Sequence, residues 1–137
     1  MKHEKLTIYS DGGARGNPGP AGIGAVLLNE KGNLVAEISE GIGEATNNQA
    51  EYRALLAGLT KVRELGAKEV EVFLDSELVV KQLNREYKVK DKELALLFVQ
   101  AYNLTLGFKK VIFKHIRREK KEQADKLVNR ALDKAGK

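Results

Sequence analysis

Four carboxylates in this sequence stand where strands end or helices begin: Asp11, Glu51, Asp75 and Asp125. Asp11 closes a short apolar stretch, Leu6 and Ile8 with Thr7 and Tyr9 between and after them, that reads as a strand. Asp75 closes another, built on Val70, Val72 and Leu74. Glu51 falls in the first turn or so of a helix, and Asp125 in the first turns of a last helix. Four carboxylates brought to one place would repel one another strongly unless a cation sat among them. Oxygen donors with no cysteine and only two histidines favour Mg²⁺ or Mn²⁺ over zinc, and a site that keeps positions open for a substrate phosphate is typical of Mg²⁺. Each acid also has a plain explanation. Asp11 could make an Asx turn, Asp75 could be the N-cap of the following helix, and Glu51 and Asp125 could be first-turn acids favoured by the helix dipole. Their company favours chemistry: a glycine-rich loop follows Asp11, and a run of cations precedes Asp125.

The elements that must position these groups are legible in outline. Ile23 to Leu28 reads as a second strand, and Asn29, Glu30, Lys31, Gly32 and Asn33 supply a hairpin turn into a third, Leu34 to Gly41. Thr46 and Gln49 form a capping-box pattern, and Ala54, Leu55, Gly58, Leu59, Val62 and Leu65 recur at helical spacing. With Gly66 placed as a C-terminal cap, the helix is expected from about Asn47 to Leu65. After the fourth strand come a short helix, Leu78 to Leu83, a longer one, Glu93 to Leu106, and a β-rich stretch from Lys109 to Ile116. Ala124, Leu127, Val128, Ala131 and Leu132 form the apolar stripe of a last helix. This order predicts an α/β domain with a mixed sheet, parallel where helices make the crossover, and a ligand site beyond the carboxyl ends of the parallel strands.

The 137 residues suffice for one domain, 1–137, with its own core. The lack of cysteine excludes disulfides, thiolate metal sites and thiol catalysis. No apolar run is long enough for a membrane span, and the N-terminus has no apolar signal core, so a cytoplasmic, soluble protein is expected. The net charge of +5 is uneven. Five basic and seven acidic residues lie up to residue 60, against 19 and 12 after it, and seven cations fall between Lys109 and Lys121. That distribution nominates a polyanion as partner, the alternative being a solvated Lys/Glu-rich surface. The glycine-rich stretch from Asp11 to Gly22 does not fit a dinucleotide fingerprint or a P-loop. It lacks their spacing, and Pro18 and Pro20 oppose the helix that would hold a pyrophosphate. Its glycines suit a tight turn and close approach of backbone to a bulky ligand. A Ser/His/Asp triad drawn from Ser10, Ser39 and Ser76 with His3 and His115 has no GxSxG elbow to support it.

The segments Tyr9-Ser10-Asp11-Gly12-Gly13, Gly16-Asn17-Pro18-Gly19, Thr46-Asn47-Asn48-Gln49-Ala50-Glu51, Leu74-Asp75-Ser76 and Ala124-Asp125, in this order, resemble type 1 ribonuclease H. The resemblance spans essentially the whole chain. It implies an RNase H-like fold, a five-stranded mixed sheet in order 3-2-1-4-5 with helices on both faces, and endonucleolytic cleavage of RNA paired with DNA. By position, Asp11, Glu51, Asp75 and Asp125 match the family's metal-binding catalytic acids. Asn17, Thr46, Asn47 and Asn48 match positions that hold phosphates, sugars and base edges, and Gly12 and Gly13 match backbone positions that approach the RNA 2′-hydroxyls. Ser76, of the Asp-Ser pair, joins the substrate-binding candidates. The implied mechanism is two-metal hydrolysis with Mg²⁺, or Mn²⁺ as substitute, leaving 5′-phosphate and 3′-hydroxyl ends, with Asp11 as the shared ligand.

The departures from the family pattern are specific. The bacterial form inserts a basic, aromatic-bearing helix and loop after the second helix, whereas Asn84 to Lys92 leads straight into the Glu93 helix and the chain has no Trp. Lys88, Lys90, Lys92 and the Lys109 to Lys121 run are partial substitutes. Glu77 stands where a Gln often follows Asp-Ser, and the Gly-His motif before the last acid is missing. The chain is thus closer to the compact archaeal-like branch, in which Arg118 matches an Arg that assists leaving-group departure or product release. His115, ten residues before Asp125, is an auxiliary candidate with a structural role as its alternative. Two other readings differ in class or substrate: a hybrid- or duplex-binding module without catalysis, and a nuclease that also cuts RNA/RNA duplexes. A monomer is the default.

Overall fold

The computed structural model describes residues 4–115, Glu122, residues 126–130 and Asp133. In chain order the elements are β1 (Lys5–Ala14), β2 (Gly19–Leu28), β3 (Leu34–Ala45), α1 (Asn47–Glu64), β4 (Glu69–Leu74), α2 (Glu77–Leu83), α3 (Lys92–Thr105) and β5 (Lys110–His115). Residues 126–130 are also helical. The five strands form one sheet in the order β3-β2-β1-β4-β5. β1, β2 and β3 pair antiparallel through hairpins, and β4 runs parallel to both β1 and β5, as helical crossovers require. This is the expected mixed sheet. Among the described residues, no helix is long and apolar enough to cross a membrane.

Two strand ends differ from the sequence reading. β1 does not stop before Asp11 but continues to Ala14, and β2 begins at Gly19, the pairing running on through Asp11↔Gly24 to Ala14↔Ala21. The glycines of this hairpin carry no side chains, so they show no alternation of apolar and polar groups, yet they pair as strand. They are also required sterically. A Cβ on Gly12 would overlap the backbone carbonyl of Ala50, so the first turns of α1 can rest on β1 only because that position is bare. β3 likewise runs past Gly41 to Ala45, with a register shift at Ala21/Gly22 that lets it curve.

α1 lies across one face of the sheet. Leu6, Ile8, Val70 and Val72 share that face through the rungs Leu6↔Val70 and Ile8↔Val72, and with Leu27 they pack against Tyr52, Leu55, Leu59 and Val62. Gly58 brings the helix axis close, since a Cβ there would stand 3.1 Å from Ile8 Cγ2. Helix α1 starts where its sequence says. Thr46 accepts from the Gln49 N–H at 3.1 Å, and Gln49 returns the bond to the Thr46 N–H at 2.9 Å. At the other end Gly66 takes φ +80°. On the opposite face Tyr9 stacks on Phe73 with ring centroids 4.9 Å apart. There the 126–130 segment also packs: the Ser39 hydroxyl donates to the Leu127 carbonyl at 2.6 Å, and a Cβ on Gly13 would touch Val128 Cγ1 at 3.8 Å. Helices therefore cover both faces.

Within the core, the Tyr52 hydroxyl donates to Gln82 Oε1 at 2.8 Å, tying α1 to α2. Burial pushes the Tyr52 phenol far above its usual pKa, so it stays a donor at any working pH. Tyr52→Phe leaves the buried Gln82 oxygen without this donor. The expected cost is about 1–3 kcal/mol, read as a lower urea midpoint at unchanged slope. An unchanged midpoint would show that the bond adds nothing.

Candidate active site

Ser10↔Leu74 is the last rung of the parallel β1–β4 ladder, and the next residue on each strand is an acid, Asp11 and Asp75. Glu51 reaches them from α1, where its Oε1 accepts from the Gly12 N–H at 3.2 Å. One carboxylate oxygen from each of Asp11, Glu51 and Asp75 lies within 4.8 Å of the others. The plain explanations for these three acids do not hold. Asp11 sits inside a paired strand rather than in a turn. The N-cap of α2 is Ser76, whose Oγ accepts from the Val79 N–H at 3.2 Å, so Asp75 is not the cap. Glu51 lies beyond the first turn of α1, a turn with no acidic residue, so the helix dipole does not account for it. Asp125 and Arg118 lie outside the described residues.

The electrostatics show what the cluster needs. Burial raises the Glu51 carboxyl well above the ordinary carboxylate range. The hydrogen bond and the charge of adjacent Asp11 add to this, the Gly12 N–H opposes it, and Asp75 contributes a smaller push upward. Glu51 Oε2 is buried without a hydrogen-bond partner. A buried acceptor of this kind is costly unless something cationic or protic completes it. An all-oxygen donor set with one orphaned carboxylate oxygen fits a hard divalent cation. Asp11, Glu51 and Asp75 are the residues that would hold it.

Around the acids lies an open cavity of about 460 Å³, lined also by Gly12, Gly13, Asn47, Asn48 and Ser76. A larger groove of about 590 Å³ runs between β3 and α1, but it carries no such convergence of oxygens. The polar rim of the 460 Å³ cavity is prearranged. Asn47 Oδ1 accepts from the Ala14 N–H at 2.8 Å, and Asn17 Oδ1 accepts from the Asn47 N–H at 3.0 Å. With its oxygen engaged, the Asn47 side chain offers amide donors to a ligand, whereas Asn17 is not among the residues that line the cavity and braces the Asn47 backbone. Thr46 is fully used as the α1 cap and sets the position of Asn47 and Asn48. Two polar lining residues escaped the sequence reading, Arg15 and Asn129. Arg15 stands in the same loop as Asn17 and pairs with Asp133 at 2.5 Å. The available signal for Asn129 was its spacing, four residues after Asp125. His115, at the end of β5, donates from Nε2 to the Asp75 backbone carbonyl at 2.9 Å.

Residues 9–131 match the reverse transcriptase-like family. The chain is 46% identical over 131 residues to ribonuclease HI of Halobacterium salinarum, covering 96% of this chain and 66% of that protein. The solved halobacterial RNase H1 superposes with a TM-score of 0.92 at 44% identity, over 96% of this chain and 99% of that one. The chain belongs to the ribonuclease HI family. Two further structures agree with this RNase H assignment. The N-terminal RNase H domain of a Mycobacterium tuberculosis protein, solved as a fusion with maltose-binding protein, gives a TM-score of 0.91 at 46% identity, over 94% and 99% of the two chains. An RNase H1 isolated from compost and solved in complex with an RNA/DNA hybrid gives 0.90 at 50% identity, over 95% and 98%. The RNase H chain spans only 36% of the length of a matching bifunctional protein of M. tuberculosis. Between α2 and α3 of this RNase H domain, residues 84–91 form turns and bends without an inserted helix.

Proposed function

We propose that this domain is an endoribonuclease that hydrolyses the RNA strand of RNA/DNA hybrids with two Mg²⁺ ions, or Mn²⁺ in their place, leaving 5′-phosphate and 3′-hydroxyl ends. The observation that carries the reading is the convergence of Asp11, Glu51 and Asp75 around a buried, unpartnered Glu51 oxygen. A relative at 50% identity that was solved with an RNA/DNA hybrid supports the substrate class. When bound, the ions supply a water activated near neutral pH and charge stabilisation at the departing 3′-oxygen.

The rest of the work falls to the chain. Asp11, beside Glu51 and one residue past the β1–β4 ladder, is the acid that would be shared between the ions. The amides of Asn17, Asn47 and Asn48 and the Ser76 hydroxyl supply neutral donors for phosphate oxygens and sugars, so substrate can be held without adding a salt bridge at the scissile bond. The bare backbone at Gly12 and Gly13 permits close approach of ribose 2′-hydroxyls, which is what distinguishes RNA from DNA. Asp125 completes the acidic set, and Arg118 assists departure of the leaving group or product.

The deciding experiment is cleavage of end-labelled RNA/DNA hybrid beside RNA/RNA, DNA/DNA and single-stranded RNA, in Mg²⁺, Mn²⁺ or EDTA. Metal-dependent loss of the RNA strand of the hybrid is the expected result. Salt-sensitive hybrid binding with no cleavage in any metal would replace the enzyme with a binding module, and equal cleavage of RNA/RNA would widen the substrate class.

A further inference from the structure

Among the described residues, Leu74↔His115 is the last rung of the β4–β5 ladder, one residue before Asp75. Beside that rung the imidazole of His115 reaches the Asp75 backbone, its Nε2–H donating to Asp75 O at 2.9 Å across forty residues of sequence. That bond also fixes the tautomer, because a carbonyl can only accept. On the other side of Asp75, Ser76 Oγ accepts from the Val79 N–H and so caps α2. The peptide that carries the Asp75 carboxylate is therefore held from both neighbours, by a cap on one side and an imidazole on the other. Nearby, Asn84 Nδ2 donates to the Phe113 carbonyl at 3.2 Å, so the end of β5 is itself pinned to the end of α2.

We infer that His115 is a positioning residue for the carboxylate cluster: its Nε2–H bond to the Asp75 carbonyl holds the Asp75 carboxylate in register with Asp11 and Glu51. The inference rests on the metal-dependent reading proposed above and adds a specific supporting group to it. Groups that orient a metal ligand from behind commonly change metal affinity by about 10–100-fold when removed. The imidazole acts through the backbone of Asp75 and needs neither a proton in flight nor contact with substrate.

The test uses three variants and a readout that does not depend on turnover. Mn²⁺ binding to the whole protein is measured by titration calorimetry, with the Mn²⁺-induced rise in Tm alongside, and hybrid cleavage is followed in parallel. His115→Gln carries its amide nitrogen the same number of bonds from Cα as Nε2, whereas His115→Asn reaches only as far as Nδ1. The expected result is that His115→Ala and His115→Asn weaken Mn²⁺ binding about 10-fold or more and raise the metal concentration for half-maximal cleavage, with KM for the hybrid unchanged. His115→Gln restores wild-type metal binding. Two results overturn the inference: Mn²⁺ affinity in His115→Ala equal to wild type, or failure of His115→Gln together with loss of cleavage at saturating metal, which would make the imidazole a catalytic group. Wild type separates the two levels of the argument. If it binds no Mn²⁺ and cleaves nothing, the metal-dependent reading itself is wrong and the inference falls with it.

Discussion

Asp75→Asn and Asp11→Asn, made separately, are expected to lower hybrid cleavage by about 10³-fold, equivalent to the several kcal/mol that metal-ion catalysis supplies to developing charge. Asparagine is nearly isosteric with aspartate but carries no charge, so it keeps the shape of the strand ends while weakening the hold on a divalent cation. Stability should not fall with activity. The His115 bond at Asp75 is to its backbone carbonyl, which the substitution leaves in place, and one negative charge is withdrawn from a crowded cluster. Tm in EDTA is therefore expected to be unchanged or higher. Single-turnover cleavage at saturating hybrid measures the chemical step apart from binding. Retention of activity within about tenfold would remove these two residues from the site.

Glu51→Gln should separate stability from function. The folded-state pKa of Glu51 is raised, chiefly by burial and then by Asp11, so the folded protein binds this proton more tightly than the unfolded chain does. Stability from that difference is fully present below the ordinary carboxylate value and is lost as pH rises through the folded value. Metal-free wild type should accordingly lose Tm as pH rises above the ordinary carboxylate range, in a way that Glu51→Gln does not. The amide keeps an oxygen for the Gly12 N–H and presents a donor toward Asp11 in place of a second acceptor. In EDTA at pH 8 the variant is expected to be the more stable protein. Saturating Mg²⁺ should reverse the order, since a ligand at about 100 times its Kd adds about 2.7 kcal/mol to the form that binds it. Cleavage should fall about as far as with Asp11→Asn. A wild-type Tm that does not respond to pH in EDTA would show that the buried carboxyl is compensated in some other way.

Much of this was legible in the chain because local signals agreed with the global fold. The alternation in Leu6, Ile8, Val70 and Val72, the Thr46–Gln49 box and Gly66 each carried its own instruction, and each is found in the structure. The misread ends were those where residues give no local signal. Gly12, Gly13, Gly19 and Gly22 pair as strand because the neighbouring strand and α1 impose it, not because of any preference of their own. Asp75 and Ser76 are both good capping residues, and only the observed Ser76–Val79 bond separates them. Arg15 and His115 acquire their roles through contacts 118 and 40 residues away in sequence, which periodicity does not report. The substitution of turns for an inserted helix at residues 84–91, by contrast, was readable as a simple lack of sequence.

The position of Asp11 and Asp75, one residue beyond the Ser10↔Leu74 rung, gives the site an internal ruler. Hydrogen-bonded strands stand about 4.8 Å apart in any sheet, a length fixed by peptide geometry. The gauge of the acidic cluster is thereby inherited from the backbone, and side-chain drift in surrounding loops does not alter it. Such a frame is portable. It can be spliced into polypeptides of very different length, as in the mycobacterial relative where the matching region is 36% of the whole, without recalibrating the distance on which its chemistry depends.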